Sequence, residues 1–514
     1  MTDTAPREFE LKLELEDDAW ESLIPARVAD GFRRGPAEER RLVSTYFDTP
    51  DQALRAAGIS LRIRETGGKT LQTVKLQTGV SAGISNPVEV ESEVADATPQ
   101  IGAIENKGVR KRLKKLIGGA SLAPMFRTDV LRTIQILSGP QGAAELSVDR
   151  GSIVTETATA PISEAELELQ SGDAQFLLSL AESLFCDMLL QFGQSSKSEQ
   201  GYRLLNGEAA PVEAPLKAWQ PDLDAGLDVG EVFGRIALSA AVQILQNWRA
   251  LQVNDDPECA HQLRVGLRRM RSALRAFRPA IDNPDLRALG DRLRDAARIV
   301  GPLRDTDVLL ADIVKPAFAP EAESAGALET LLAEAGAAER ARVRNELDKP
   351  EWNGLLLRLA MLPHGALWQS GTQFGRIDDH AAASLQKCWK KVRKHARHLD
   401  SLSIEDRHRL RKDLKTLRYA TEFFAPIFAR KATRNFNESL KALLDRFGYL
   451  NDVALANTLP ERIETGLLGT SDLQAEAQRS IGFVLGWHSA IAEAEWIHAG
   501  AQWDRLKTCK KFWK

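Results

Sequence analysis

The charges in the first two hundred positions alternate with apolar residues and come in blocks of one sign. Glu8-Phe9-Glu10-Leu11-Lys12-Leu13-Glu14, Leu61-Arg62-Ile63-Arg64, Val88-Glu89-Val90-Glu91 and Glu164-Ala165-Glu166-Leu167-Glu168-Leu169 all have period two, the pattern of strands with one apolar face. The polar face of such a strand is ordinarily solvated, but a solvated face has no need of a single sign. Glu164, Glu166 and Glu168 point one way, as do Glu8 with Glu10, and Arg62 with Arg64. Like charges this close repel, at a cost of a few tenths to ~1 kcal/mol. Closing the strands into a barrel with the charges inward offsets that repulsion by setting acidic strands beside basic ones. The apolar faces then turn outward under helices, such as one around 173–190, the inverse of an ordinary filled barrel. In that interior a carboxylate cluster suits Mg²⁺ or Mn²⁺, and the facing cations suit phosphate oxygens.

The alternation stops at NGEAAPVEAPLKAWQPDLDA, where Pro211, Pro215 and Pro221 mark a linker over 207–225. Beyond it the sequence is rich in Ala, Leu and Arg and reads as helix. A chain of 514 residues exceeds the ~250–300 that one core sustains, so two domains are expected, 1–206 and 226–510. The net charge of −3 averages two unlike halves. Residues 1–210 hold 23 basic and 31 acidic side chains, and the remainder hold 45 and 40. Cys186, Cys259, Cys388 and Cys509 lie far apart without metal spacing. No apolar run reaches the ~18 residues of a membrane span, and MTDTAPREFELKLEL has no signal-peptide pattern. The expectation is a cytoplasmic protein with no membrane partner.

Glu8-x-Glu10-x-Lys12 resembles the ExExK signature of the CYTH superfamily, the triphosphate tunnel metalloenzymes. STYFDTPDQALRAAGISLRIR (44–64), Lys75, FRTDVLR (126–132), AELSVDRG (144–151), PISEAELELQSGD (161–173) and SKSEQGYRL (196–204) follow in the same order. The resemblance implies an α+β domain built on an antiparallel, eight-stranded tunnel barrel that hydrolyses triphosphates with a divalent metal. It implies Glu8, Glu10, Asp149, Glu166 and Glu168 as metal ligands, with Glu164 beside them. Lys12, Arg62, Arg64, Lys75, Arg127 and Lys197 would hold phosphates, and Lys12, Lys75 and Glu164 would act in catalysis. Arg132 is a further candidate, but it lies an odd number of residues from Arg127, and one regular strand cannot turn both inward. Family members often carry an arginine just before the Glu89-Val90-Glu91 strand. Here Asn86-Pro87-Val88 stands there, so Glu89 and Glu91 receive no role. Phosphoryl transfer asks for positioning and charge neutralisation more than covalent help. No histidine occurs before residue 261, which leaves water, with a carboxylate to assist it, as the nucleophile. Gly67-Gly68-Lys69-Thr70 lacks the P-loop's first glycine, since Ile63 stands there, and reads as a hairpin turn.

The second half contains a repeat. His261, Arg264, Arg268 and Arg271 match His408, Arg411, Lys415 and Arg418 at 0, +3, +7 and +10, and Leu303-Arg304-Asp305 and Leu450-Asn451-Asp452 each begin 42 residues past the histidine. At 100° per residue the four polar positions span an arc of about 80°. Leu263, Leu267 and Met270, and Leu410, Leu414 and Leu417, form a separate core face. Arg264 is followed one turn on by Arg268, and Arg411 by Lys415, like charges that destabilise an isolated helix, so an anionic partner is expected. DPECAHQLRVGLRRMR (256–271) with the GPLRDTDV turn (301–308), and RHRLRKDLKTLRY (407–419) with GYLNDVALA (448–456), resemble the CHAD domain. That implies an all-α, pseudo-twofold helical bundle binding inorganic polyphosphate through these eight residues, and with it association with polyphosphate granules. Few aromatics interleave the stripe, which disfavours nucleic acid. The leading expectation is an inorganic triphosphatase with a polyphosphate-binding domain. The alternatives are a thiamine or nucleoside triphosphatase, an adenylate cyclase of the CYTH type, and a non-catalytic polyphosphate adaptor.

Overall fold

The computed structural model describes residues 8–16, 19–24, 28–66, 68–76, 79–209, 211–318, 326–368, 375–464 and 474–514. Contacts divide the chain into two compact units, Met1–Val212 with Lys349–Ala366, and Glu213–Asp348 with Leu367–Lys514.

The first unit is a curled antiparallel sheet. Its principal strands are β1 (Glu10–Glu14), β2 (Glu38–Asp48), β3 (Ile59–Thr66), β4 (Lys69–Leu76), β5 (Ile84–Ser85), β6 (Val88–Glu93), β7 (Ala123–Gly139), β8 (Gly142–Val154) and β9 (Thr159–Ser171), with two-residue strands added at Arg33–Arg34, Val80–Ser81 and Gln191–Phe192. Their spatial order is β5-β1-β9-β8-β7-β2-β3-β4-β6. The two ends of that order, β5 and β6, are separated only by Asn86-Pro87. The sheet therefore curls until it meets itself in one interrupted strand, the eighth of the ring. Pro87 has no amide to give a ladder, and it stands where the segment changes partners. Its carbonyl accepts from the Glu8 amide at 3.3 Å. Thr66 pairs with Lys69 across the β3–β4 turn, so the GKT stretch belongs to a hairpin. Gly67 itself lies outside the described residues.

The apolar faces point outward. Leu61, Ile63, Val74 and Leu76 form one core with Val109 and Leu113 of helix α1 (Lys107–Ile117). Helix α2 (Ala174–Leu184), capped by Asp173, buries Phe176, Leu177, Leu180 and Ala181, and helix α3 (Lys197–Asn206) starts at its cap Ser196. A Cβ on Gly201 would sit 2.1 Å from the Phe126 ring, so glycine there lets α3 lie close on β7. Asp48, fully buried, ties α3 to β2. It accepts from the amides of Thr49, Leu54 and Arg55 at 2.7–2.9 Å and from Tyr202 Oη at 2.8 Å. Asp48→Ala strands four buried donors and is expected to cost about 3 kcal/mol or more, read as a shift in urea-unfolding midpoint. Tyr202→Phe removes one bond and should cost about 1 kcal/mol.

The second unit is helical and duplicated. The first copy is α4 (Val229–Val253), α5 (Pro257–Phe277), α6 (Pro284–Val308) and α7 (Ala327–Leu347). Between the copies, helix α8 (Asn353–Met361) belongs to the sheet unit. The second copy is α9 (Ile377–His395), α10 (Ile404–Phe424), α11 (Arg430–Ala456) and α12 (Gln474–Thr508). Within each copy successive helices pack side by side, and α5 meets α10, which sets equivalent helices of the repeat against each other. Asp256 and Ser403 cap α5 and α10. The sequence suggests a turn at GPLRDTDV, with GYLNDVALA as its counterpart in the second copy. The structure corrects this, because Asp305 lies within α6, with Pro302 inside the helix, and Asp452 lies within α11. A Cβ on Gly301 would meet Arg264 Nη1 at 3.0 Å, so this glycine makes room for a guanidinium rather than for a bend. Among the described residues no helix is long and apolar enough to cross a membrane.

Candidate functional site

The inward-facing residues of the ring line a cavity of about 560 Å³, among them Glu8, Glu10, Lys12, Arg62, Arg64, Lys75, Arg132, Glu166, Glu168 and Lys197. Register explains how the charges meet. Glu10 stands opposite Glu168, Lys12 opposite Glu166, and Glu14 opposite Glu164. On the other flank of β9, Glu145 faces Glu168 and Asp149 faces Glu164, and Asp149 also faces Arg132.

At one end the charges are paired. Lys12 Nζ lies 2.6 Å from Glu164 and 3.4 Å from Glu166. Lys197 Nζ reaches Asp149 at 2.7 Å, Glu166 at 2.9 Å and also Glu164. Arg132 grips Asp149 with two bonds of 2.6 Å and Glu166 with one of 2.7 Å. Against the cost of burial, Lys197 and Arg132 hold Asp149 at about 2. Against the same cost, Lys197, Lys12 and Arg132 hold Glu166 well below the carboxylate range.

At the other end carboxylates crowd one another. Burial and a hydrogen bond with Glu89 push Glu8 up to about 8 despite Lys75. Burial, Glu10 and Glu145 push Glu168 up to about 7, and burial with Glu166 raises Glu10. Lys75 bridges Glu8 at 2.6 Å and Glu89 at 2.5 Å. Arg64 is different. It donates to Ser44 Oγ at 3.1 Å, and among the described residues no carboxylate forms an ion pair with it. Burial, Arg62 and Arg132 depress it to about 9, the mark of a cation placed for an external anion.

The donor set fits a hard divalent ion. Asp149, Glu164 and Glu166 offer oxygens within 4.8 Å of one another, and the crowded Glu8, Glu10 and Glu168 are the electrostatic complement of added positive charge.

Of the residues singled out from the sequence in this domain, Asp149 and Glu164 are buried behind the lining, paired with Lys12, Lys197 and Arg132, and Arg127 is turned away from the cavity. It is exposed on β7, while Arg132, of opposite parity, turns inward. Glu89 and Glu91 line the cavity without having been assigned. Glu89 pairs with Lys75 and lies 3.7 Å from Arg62, and Glu91 accepts from Thr73. Their alternation was visible, but Asn86-Pro87 hid it, because a proline at a change of strand partner reads as the wrong flank.

In the helical unit the two stripes converge where α5 and α10 meet. Lys415 is depressed to about 6, by burial first and then by Arg268 and Arg411. Arg264 and Arg411 are lowered by burial, opposed in each case by a half-buried carboxylate, Asp305 and Asp452 respectively. Arg411 donates to Asn451 Oδ1 at 3.1 Å and Arg268 to Tyr419 Oη at 2.9 Å. His261 and His408 are lowered, each by burial and then by nearby cations, Arg304 for the first and Lys412 and Arg411 for the second. Arg271 and Arg418 are not with this group. Position +10 is about 15 Å along the helix from position 0, and the two open on separate cavities, of about 270 and 590 Å³.

A curled sheet with its charges inside and apolar faces under helices thus precedes a duplicated helical unit with a shared cationic centre. Residues 6–202 match the CYTH domain family and residues 236–460 the CHAD domain family, and the chain is a CYTH domain followed by a CHAD domain. An inorganic triphosphatase of Haemophilus influenzae is 30% identical over 164 residues, 32% of this chain and 46% of that protein. An uncharacterized protein of Mycobacterium tuberculosis is 25% identical over 318 residues, 58% of each chain. The CHAD domain of the plant Ricinus communis is 27% identical, covers 58% of this chain and 98% of that one, and has a TM-score of 0.48. The chain thus spans about half the length of the curated relatives it matches.

Proposed function

We propose that the tunnel hydrolyses inorganic triphosphate to pyrophosphate and phosphate with Mg²⁺ or Mn²⁺, and that the helical domain binds inorganic polyphosphate. The observation that carries the first part is the facing of crowded carboxylates and Arg64, which among the described residues has no carboxylate ion pair, across one polar cavity. Glu8, Glu10, Asp149, Glu166 and Glu168, with Glu164, would hold the cation, which supplies Lewis-acid neutralisation of phosphate charge when bound. Arg62, Arg64, Arg132, Lys12, Lys75 and Lys197 orient the phosphates and stabilise charge on the leaving pyrophosphate. Among the described residues Tyr46 is the one aromatic side chain in the lining, and its ring is already stacked on Phe126 at 4.7 Å. That supports a substrate without a base or thiazole. Phosphate release from inorganic triphosphate, compared with nucleoside and thiamine triphosphates under both metals, tests the reading. Preference for an organic triphosphate, or no release at all, overturns it.

Metal binding should also be pH-linked. Glu8 at about 8 and Glu168 at about 7 are partly protonated at neutral pH, and a cation binds only their ionised forms. Metal binding therefore releases protons, and apparent affinity rises as pH climbs from 6.5 to 8.5. We expect a gain of roughly tenfold or more over that range, followed calorimetrically in two buffers of different ionisation heat. Zero proton release would contradict the assignment.

A further inference from the structure

Residues 349–366 connect the two copies of the helical repeat and fall inside the stretch that matches the CHAD family, yet they are built into the sheet unit. Their attachment is specific. Asn353, almost fully buried, donates from Nδ2 to the carbonyls of Phe185 and Met188 at 2.7 Å, with that of Cys186 at 3.2 Å. It thereby satisfies carbonyls just past the end of α2, where helices leave acceptors unpaired. Arg358 Nε meets Glu182 Oε1 of α2 at 2.6 Å. Leu355, Leu357, Leu359 and Met361 are buried. At the far end of the segment the His364 ring lies 5.1 Å from the ring of Phe9.

Phe9 sits between Glu8 and Glu10. Side chains alternate along a strand, so the outward ring of Phe9 and the inward carboxylates of its neighbours are fixed together. Inside the sheet this end of the chain is held by few bonds. Glu8 N donates to Pro87 O at 3.3 Å, Leu169 N donates to Phe9 O at 2.9 Å, and Glu10 pairs with Ser85 and Glu168. The His364 ring adds a contact from outside the sheet.

We infer that residues 349–366 are a brace, with His364 as a positioning residue that sets Glu8 and Glu10 through Phe9, so that the metal site depends on a segment of the helical repeat. The inference rests on reading those carboxylates as metal ligands. Losing the ring contact should loosen metal binding without touching the phosphate-binding Arg62 and Arg64 on β3.

The experiment titrates Mn²⁺ against the melting temperature of the full chain and, separately, against triphosphate hydrolysis. In His364→Ala the half-saturating Mn²⁺ concentration should rise threefold or more in both readouts, with KM for triphosphate within twofold of wild type. His364→Phe, which restores an aromatic partner for Phe9, should recover most of the loss. Asn353→Ala, remote from Phe9, should shift the midpoint in the same direction. A wild-type midpoint in His364→Ala, or no recovery in His364→Phe, overturns the brace. Absence of any Mn²⁺ effect on the wild-type melting temperature overturns the metal reading and the brace with it.

Discussion

Glu10→Gln and Lys75→Ala are each expected to lower phosphate release from triphosphate by about two to three orders of magnitude, the effect of removing one preorganised charge from an enclosed site. The two variants fail for different reasons. Glu10→Gln keeps shape and removes an oxygen ligand's charge. Burial and Glu166 raise the Glu10 pKa above its unfolded value, so at neutral pH its ionisation destabilises the fold, a penalty lost as pH falls and the group protonates. The glutamine variant should thus melt no lower than wild type without metal, and lose the stabilisation that metal confers. Lys75 is held protonated, against burial, mainly by Glu89 and Glu8. Its removal takes the nearest cation from Glu8 and leaves Glu89 only the longer contact to Arg62, and Lys75→Ala should bind triphosphate more weakly as well as turn it over slowly. Paired kinetics and thermal melts separate these outcomes. Wild-type turnover in both variants would remove the proposed mechanism.

The inward barrel was legible because strand alternation fixes which residues share a face, and single-sign faces demand a charged partner. That same arithmetic required Arg127 and Arg132 to part, and register with Asp149 placed Arg132 inside. The sequence could not show which neighbour the segment around Pro87 pairs with, since that depends on where the sheet meets itself, and Glu89 was lost with it. Gly301-Pro302 misled for a related reason. A proline after the first turn of a helix argues locally for a break, but the glycine's purpose is non-local room for Arg264. Nothing in residues 349–366 marks them apart from the helices on either side, because their role is defined by contacts with Phe9, Glu182 and Phe185, far away along the chain.

The largest effect expected in the helical domain comes from replacing Arg264, Arg268, Arg411 and Lys415 together by alanine, which should weaken polyphosphate binding by at least a hundredfold. Each phosphate neutralised releases counterions, so wild-type affinity should fall steeply with salt, and the variant's slope of log K against log salt should be shallower by about three. The pH response is sharper evidence. Lys415 at about 6 is largely neutral at pH 7, owing to burial and then to Arg268 and Arg411. A polyanion seated among these cations raises its pKa, so binding takes up a proton. Affinity is then full below pH 6 and declines by up to tenfold per unit as pH rises toward the bound-state value. His261 and His408 titrate nearby, and both are already depressed, while Asp305 and Asp452 face the same cluster and are raised by burial. Lys415→Arg distinguishes the lysine from these groups, because a guanidinium stays charged throughout. It should preserve affinity at pH 6 and flatten the slope between pH 6 and 8. If Lys415→Arg retains the wild-type slope, the proton is taken up elsewhere. If the quadruple variant binds as tightly as wild type at all salt concentrations, the convergent cations are a solvated surface and the polymer is held by other residues.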